Sequence, residues 1–154
     1  MFDNDAALIT AMGEAVRAES AAIARRLTAV GELYARRAIE WADRELWCTD
    51  PFEAVAAEVS AAQNISRSRA GAQIRQAREL RERLPKVAAV FASGEVDYRM
   101  VATIINRTTN VDDGLIAAVD AALAKLAPKW MKLSGPELAD RLESEGYDRY
   151  LEIA

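Results

Sequence analysis

The chain contains no histidine. That absence removes imidazole acid–base chemistry, Ser–His–Asp and Cys–His nucleophiles and His-ligated metals in one step. The single cysteine, Cys48, has no partner for an intramolecular disulfide, which fits a reducing cytoplasm. Aromatic residues are only 6% of 154. No uninterrupted apolar run approaches the ~20 residues that a membrane helix needs. The opening carries Asp3 and Asp5 rather than a positive start and an apolar run, so a secretory signal is not expected. The four prolines sit at segment edges, where they start helices rather than break them. No run alternates with a period of two between turn signals, and there is neither a low-complexity tract nor a clear internal repeat.

Apolar residues make up 51% of the chain, much of it alanine, which favours helices packed closely on small side chains. From Asp3 to Trp47 the apolar positions fall in two rows seven apart, Val16/Ile23/Val30 and Leu27/Tyr34/Trp41, with Ile9 and Met12 extending them. Alternating steps of three and four describe a helical seam, interrupted at Ser20 and Arg37. A helix of ~40 residues would be ~60 Å long, beyond the diameter of a compact domain. It should therefore break near Gly31 or project towards a partner. Asp50-Pro51-Phe52-Glu53 marks a helix start, with Phe52, Val55, Ala56, Val59 and Ala62 as its apolar face, ending near Gln63-Asn64. Ser66 caps a third helix to about Leu84, with Ala70, Ile74, Ala77 and Leu84 inward.

Pro85 begins a short helix that Gly94 ends, and Asp97 caps the next, through Val101, Ile104 and Ile105 to about Thr108. Asn110 to Asp113 reads as a polar turn. Leu115, Ile116, Val119, Leu123 and Leu126 give another amphipathic helix, stopped near Pro128. Ser134-Gly135-Pro136-Glu137 is a capping box that opens a last helix, which Gly146 should end. The expectation is an all-α, multi-helix bundle with a long N-terminal helix and an embedded helix-turn-helix-like unit. Its parts are an arm at 1–47, a bundle at 48–146 with the helix-turn-helix-like unit at 51–84, and a frayed tail at 147–154.

The formal charge of −4 argues against a chain that coats nucleic acid, but the charge is uneven. Between Ile65 and Lys86 stand Arg67, Arg69, Arg75, Arg78, Arg81, Arg83 and Lys86, opposed only by Glu79 and Glu82. That segment is +5, which leaves −9 for the remainder. A basic stripe on an acidic body points to a directed contact with an anion. The same stretch reads as two helices joined by a tight turn, with a Ser-capped basic second helix. Its N-terminus offers free N–H groups and partial positive charge to a phosphate. Arg and Gln match the bidentate edges of guanine and adenine in the major groove. On this reading Arg69, Gln73 and Gln76 face base edges, while Arg67, Arg75 and Arg78 hold phosphates and Ser68 lies on the outward face. Asn64 stands where such turns commonly carry glycine, a position that asparagine tolerates. Gln73 stands where an apolar core residue is usual, and Ile74 can take that place. The plainer alternative is an Arg-rich solvated face whose stems cover apolar surface.

The stretch from about Phe52 to Leu142 resembles the actinobacterial 13E12 repeat family, whose N-terminal part is catalogued as domain of unknown function 222. The residues that carry the likeness are Ala61-Ala62 through Ile65-Ser66-Arg67, Ala77-Arg78-Glu79-Leu80, Leu84-Pro85, Gly94-Glu95-Val96-Asp97 and Leu133-Ser134-Gly135-Pro136-Glu137-Leu138. In that family an HNH nuclease module often follows, which implies a DNA context for the helical part. HNH chemistry needs histidines that this chain lacks, so nuclease activity is not carried over, and the resemblance brings no catalytic residues.

The remaining candidates read more simply as structure. Asp112-Asp113 suits a helix start better than a hard cation. Glu137, Asp140, Glu143 and Glu145 suit a solvated helix face better than a catalytic cluster. Cys48 lacks a clear activating cation. Trp41 and Trp47 suit anchors of the long helix, and Trp130, beside Lys129 and Lys132, suits a loop anchor. The expected function is non-enzymatic binding of double-stranded DNA by a cytoplasmic homodimer, with no cofactor, metal, membrane or small-molecule substrate. The dimer seam would run through Val16, Ile23, Leu27, Val30 and Tyr34. The competing readings are a helical protein-interaction module and an inactive remnant of a mobile-element protein.

Overall fold

The computed structural model describes residues 3–43 and 50–151. Among these the order is α1 (Asp5–Asp43), α2 (Phe52–Gln63), α3 (Arg67–Glu82), α4 (Pro85–Ala92), α5 (Tyr98–Thr108), α6 (Ile116–Leu126), a 3-10 turn (Ala127–Trp130) and α7 (Gly135–Leu151), with no strand. Trp47, Cys48 and the last three residues of the expected tail lie outside the described residues.

The local rules act where the sequence places them. The Asn4 carboxamide accepts from the Ala7 N–H at 2.9 Å to open α1. The Asp97 carboxylate accepts from the Met100 N–H at 2.8 Å to open α5. At α7 the capping box is reciprocal. Ser134 Oγ accepts from the Glu137 N–H at 3.3 Å and the Glu137 carboxylate accepts from the Ser134 N–H at 2.9 Å. Hydrogen bonding from the Ser134 backbone N–H, and then from its hydroxyl, pulls the Glu137 carboxyl below its usual range. Gly94 ends the α4 turn at φ +84°, a conformation that strains any other residue.

Of the two courses open to α1 at Gly31, the helix does not break there and runs unbroken through it. One expectation about helix length is corrected. Gly146 does not end α7, which continues to Leu151, as an interior glycine costs a helix only about 1 kcal/mol.

The chain divides into two compact units, and the division runs through α1 rather than at residue 47. One unit comprises residues 25–82, that is, the C-terminal part of α1 with α2 and α3. Its core is Leu27, Val30, Tyr34, Val55, Ala56, Val59, Ala70, Ile74, Ala77 and Leu80. Gly31 lies buried there, and a Cβ on it would stand 3.4 Å from the Ala77 Cβ. The glycine is thus a contact surface for α3.

The other unit comprises residues 1–24 and 83–154. Its core gathers Leu84, Val87, Phe91, Val96, Met100, Ile104, Leu123, Trp130 and Leu138. Two buried polar links tie its elements together. The Asp120 carboxylate of α6, almost inaccessible to solvent, accepts from the Lys86 and Val87 N–H groups at 2.9 Å each, capping α4. The Arg83 guanidinium donates to the Thr108 carbonyl at 3.2 Å and to the Val111 carbonyl, closing the C-terminal end of α5.

Candidate nucleic-acid interface

The candidate surface is built in the unit of residues 25–82 by α2, the turn after it and α3. Phe52 opens α2 with its N–H donating to the Asp50 carboxylate at 3.0 Å. The same Asp50 oxygen accepts from the Tyr34 hydroxyl at 2.8 Å, which ties α1 to the start of α2. Burial, then this hydrogen bond, raises the Tyr34 hydroxyl above its usual range, against the opposing charge of Arg78.

Asn64 leaves α2 in the left-handed conformation, φ 54° and ψ 49°, as the turn requires. The Ser60 carbonyl takes both the Asn64 and the Ile65 N–H, the 5→1 bond of a left-handed cap and the 6→1 bond of a Schellman turn. The Ser60 hydroxyl donates back to the Ile65 carbonyl at 2.6 Å. Ser66 Oγ then accepts from the Arg69 N–H at 3.1 Å and starts α3. The crossing is close at Gly71, where a Cβ would come within 3.2 Å of the Phe52 ring.

The seven predicted contact residues separate into two groups. Arg67, Ser68, Arg69 and Arg75 are exposed. Arg67 and Arg69 form no ion pair among the described residues, and the Arg75 guanidinium rests near the Phe52 ring at 5.9 Å from its centroid. Gln73, Gln76 and Arg78 are half-buried. Gln73 exchanges hydrogen bonds with Gln63 at 2.7 and 2.9 Å, so its amide joins α2 to α3. Arg78 lies over the Tyr34 ring at 4.5 Å and bonds Glu82 at 3.3 Å. The base-edge role expected for Gln73 and the phosphate role expected for Arg78 are therefore corrected: both side chains are held by the protein's own groups. Ile74, fully buried, takes the core place as expected.

The basic stripe is not one surface either. Arg83 belongs to the other unit, where it binds carbonyls and lies 3.6 Å from Asp113. Sequence reasoning missed the partners that remove these cations, Tyr34, Glu82 and the α5 carbonyls. Only the i,i+4 spacing of Arg78 and Glu82 could have signalled one of them.

The expected dimer seam is also divided. Leu27, Val30 and Tyr34 are core residues of their own unit, which corrects their assignment to an external seam. Ile23 is half-buried, and Val16 alone of the five is exposed. Beside the seam, Arg37 pairs with Glu58 of α2 at 2.9 Å and with Glu40 at 3.1 Å. These bonds raise Arg37, and its hydrogen bond lowers the Glu58 carboxyl.

Asp112 accepts from the Gly114 N–H at 2.8 Å in its turn, and Glu143 pairs with Arg107. Trp130 is buried and Trp41 half-buried. Among the described residues no cluster of three metal-ligating side chains occurs, and no helix is long and apolar enough to cross a membrane.

The chain belongs to the family described as Domain of unknown function (DUF222), whose model matches residues 14–145. It is 43% identical over 148 residues to the "Uncharacterized protein in est 3'region" of Mycobacterium tuberculosis, covering 96% of this chain and 41% of that protein. It is likewise 43% identical over 148 residues to "Uncharacterized protein Rv3776" of strain ATCC 25618 / H37Rv, covering 96% of this chain and 28% of that protein. The chain thus spans well under half the length of these curated relatives. No solved structure matches it.

Proposed function

We propose that the chain is a non-catalytic DNA-binding domain that meets duplex DNA with the first two and a half turns of α3. The observation that carries this reading is the exposure of Arg67, Ser68, Arg69 and Arg75 on a helix start, with Arg67 and Arg69 unpaired among the described residues. Charged guanidiniums with no internal carboxylate keep their full attraction for phosphate. The Asn64 turn, the Gln63–Gln73 amide pair and the Tyr34–Arg78 stack form the frame that holds this edge. On this reading Arg69 meets a base edge, and Arg67 and Arg75 hold phosphates. The lack of histidine supports a role in binding rather than acid–base catalysis.

Two phosphate contacts would give a logarithmic salt slope of about −1.8, so affinity should fall about 12-fold between 50 and 200 mM salt. Fluorescence anisotropy on mixed-sequence duplex DNA measures this. Changing Arg67, Arg69 and Arg75 together to Glu should abolish binding without loss of helicity by circular dichroism. Undiminished binding by that folded variant would sink the reading.

A further inference from the structure

The N-terminal end of α1 carries an apolar surface that its own unit leaves uncovered. Six large apolar side chains are exposed among the described residues, and four of them fall between residues 8 and 16: Leu8 at 40%, Ile9 at 68%, Met12 at 65% and Val16 at 53%. Their spacing puts all four on one helix face. A contiguous patch of this kind marks a contact with something else. It borders an open groove of about 570 Å³. Met12, Val16 and Arg17 form one bank, and Glu95, Pro128 and Met131 form the other. At its floor α1 meets the α4–α5 turn, where a Cβ on Gly94 would lie 2.8 Å from the Arg17 carbonyl. Gly13 also lines the groove, and a Cβ there would meet nothing within 4 Å. No internal packing therefore requires glycine at a position where it is a poor helix former.

The charges on the rim identify the occupant. Arg17 and Glu95 stand on opposite banks, both exposed, and neither has a partner among the described residues. One cation and one anion across an apolar groove make a pattern that is its own complement under a two-fold rotation. A lipid surface or nucleic acid would instead call for several cations and no anion. A strongly charged peptide would call for a single sign.

We propose that this face binds a second copy of the chain, the Leu8/Ile9/Met12/Val16 stripe of each protomer entering the groove of the other, with Arg17 of one paired to Glu95 of the next. The contact is shorter than the seam expected from the heptad rows and uses only Val16 of it. About two and a half helical turns and a groove lie at the small end of stable interfaces, where roughly 800 Å² per partner is typical, so the dimer is a weak one.

Sedimentation velocity of the full chain over a wide concentration range tests it. The expected result is a shift from one to two chain masses in the micromolar range. Met12→Asp with Val16→Asp should hold the protein at one mass, with unchanged helicity because both sites face solvent. Arg17→Glu and Glu95→Arg should each weaken association several-fold, and the two together in one chain should restore it. A single chain mass at every concentration overturns the proposal. So does a charge-exchanged double variant that associates no better than its parents. Vesicle binding by a chain that stays monomeric would assign the face to lipid and equally overturn it. None of these variants touches α3, so their outcome is independent of the DNA measurement.

Discussion

Asp120 shows how one side chain can fix an element that it does not belong to. Its carboxylate, buried in α6, supplies both acceptors for the Lys86 and Val87 N–H groups at the start of α4. Asp120→Ala leaves the buried Val87 N–H and the part-buried Lys86 N–H without their acceptor, and a loss of about 1–3 kcal/mol in urea unfolding is expected. Asp120→Asn, which keeps one acceptor oxygen, should lose less. Tyr34 carries a different signature. Its hydroxyl is raised in the folded state, so the stability it contributes is present below the ordinary tyrosine value of about 10. That stability is lost as pH climbs through the raised value. Alkaline melting curves of the native chain should show this loss, and Tyr34→Phe should flatten it while lowering stability at neutral pH by about 1 kcal/mol. A Tyr34→Phe chain with the same alkaline slope would contradict the role given to the Asp50 bond.

At the scale of the element, the glycine in the middle of α1 matters most. Gly31 faces Ala77 at ordinary contact distance for a Cβ, 3.4 Å. Gly31→Ala should therefore fit, and the gain in helix propensity should raise stability by up to about 1 kcal/mol. Gly31→Leu should instead force α1 and α3 apart and cost about 1–3 kcal/mol. Opposite signs in chemical denaturation distinguish a tight crossing from a merely tolerated glycine. The α7 capping box gives an element-scale pH dependence. The Glu137 carboxyl is lowered by its bonds from Ser134, so its contribution is present above the unfolded carboxyl value and lost as pH falls through the folded one. Acid titration followed by hydrogen exchange of the first turn of α7 should show that turn opening, and Ser134→Ala, which keeps the larger backbone bond, should remove only the smaller part of the effect.

Across the whole molecule, the missing histidine has a measurable consequence. No side chain of ordinary character titrates between about pH 5.5 and 7.5, so stability and DNA affinity should both be flat across that range. Below it, stability should fall as the lowered Glu58 and Glu137 carboxyls take up protons. A steep change near pH 6.5 in guanidinium unfolding midpoints would show that some other group has been displaced into the neutral range. The charge division matters on the same scale. Under the proposed function the exposed arginines at the start of α3 belong to a chain of net −4, so added salt should weaken DNA binding rather than strengthen it.

The sequence by itself determined the secondary structure, because its signals are local. Asn64 in the left-handed region, Ser66 and Asp97 as caps, and the Ser134–Glu137 box all act within a few residues of themselves. The inward face of α3 was legible for the same reason, through the period of Ala70, Ile74 and Ala77. Only the tertiary structure decided which charges remain on the surface. Arg78 under Glu82 and over Tyr34, Gln73 on Gln63, and Arg83 on the α5 carbonyls depend on residues 4 to 44 positions away, most of them beyond the reach of a helical repeat. It also decided that Leu27, Val30 and Tyr34 close a core while Ile9, Met12 and Val16 do not. An apolar stripe along a helix states that a partner is needed, and only packing says whether that partner is the same chain.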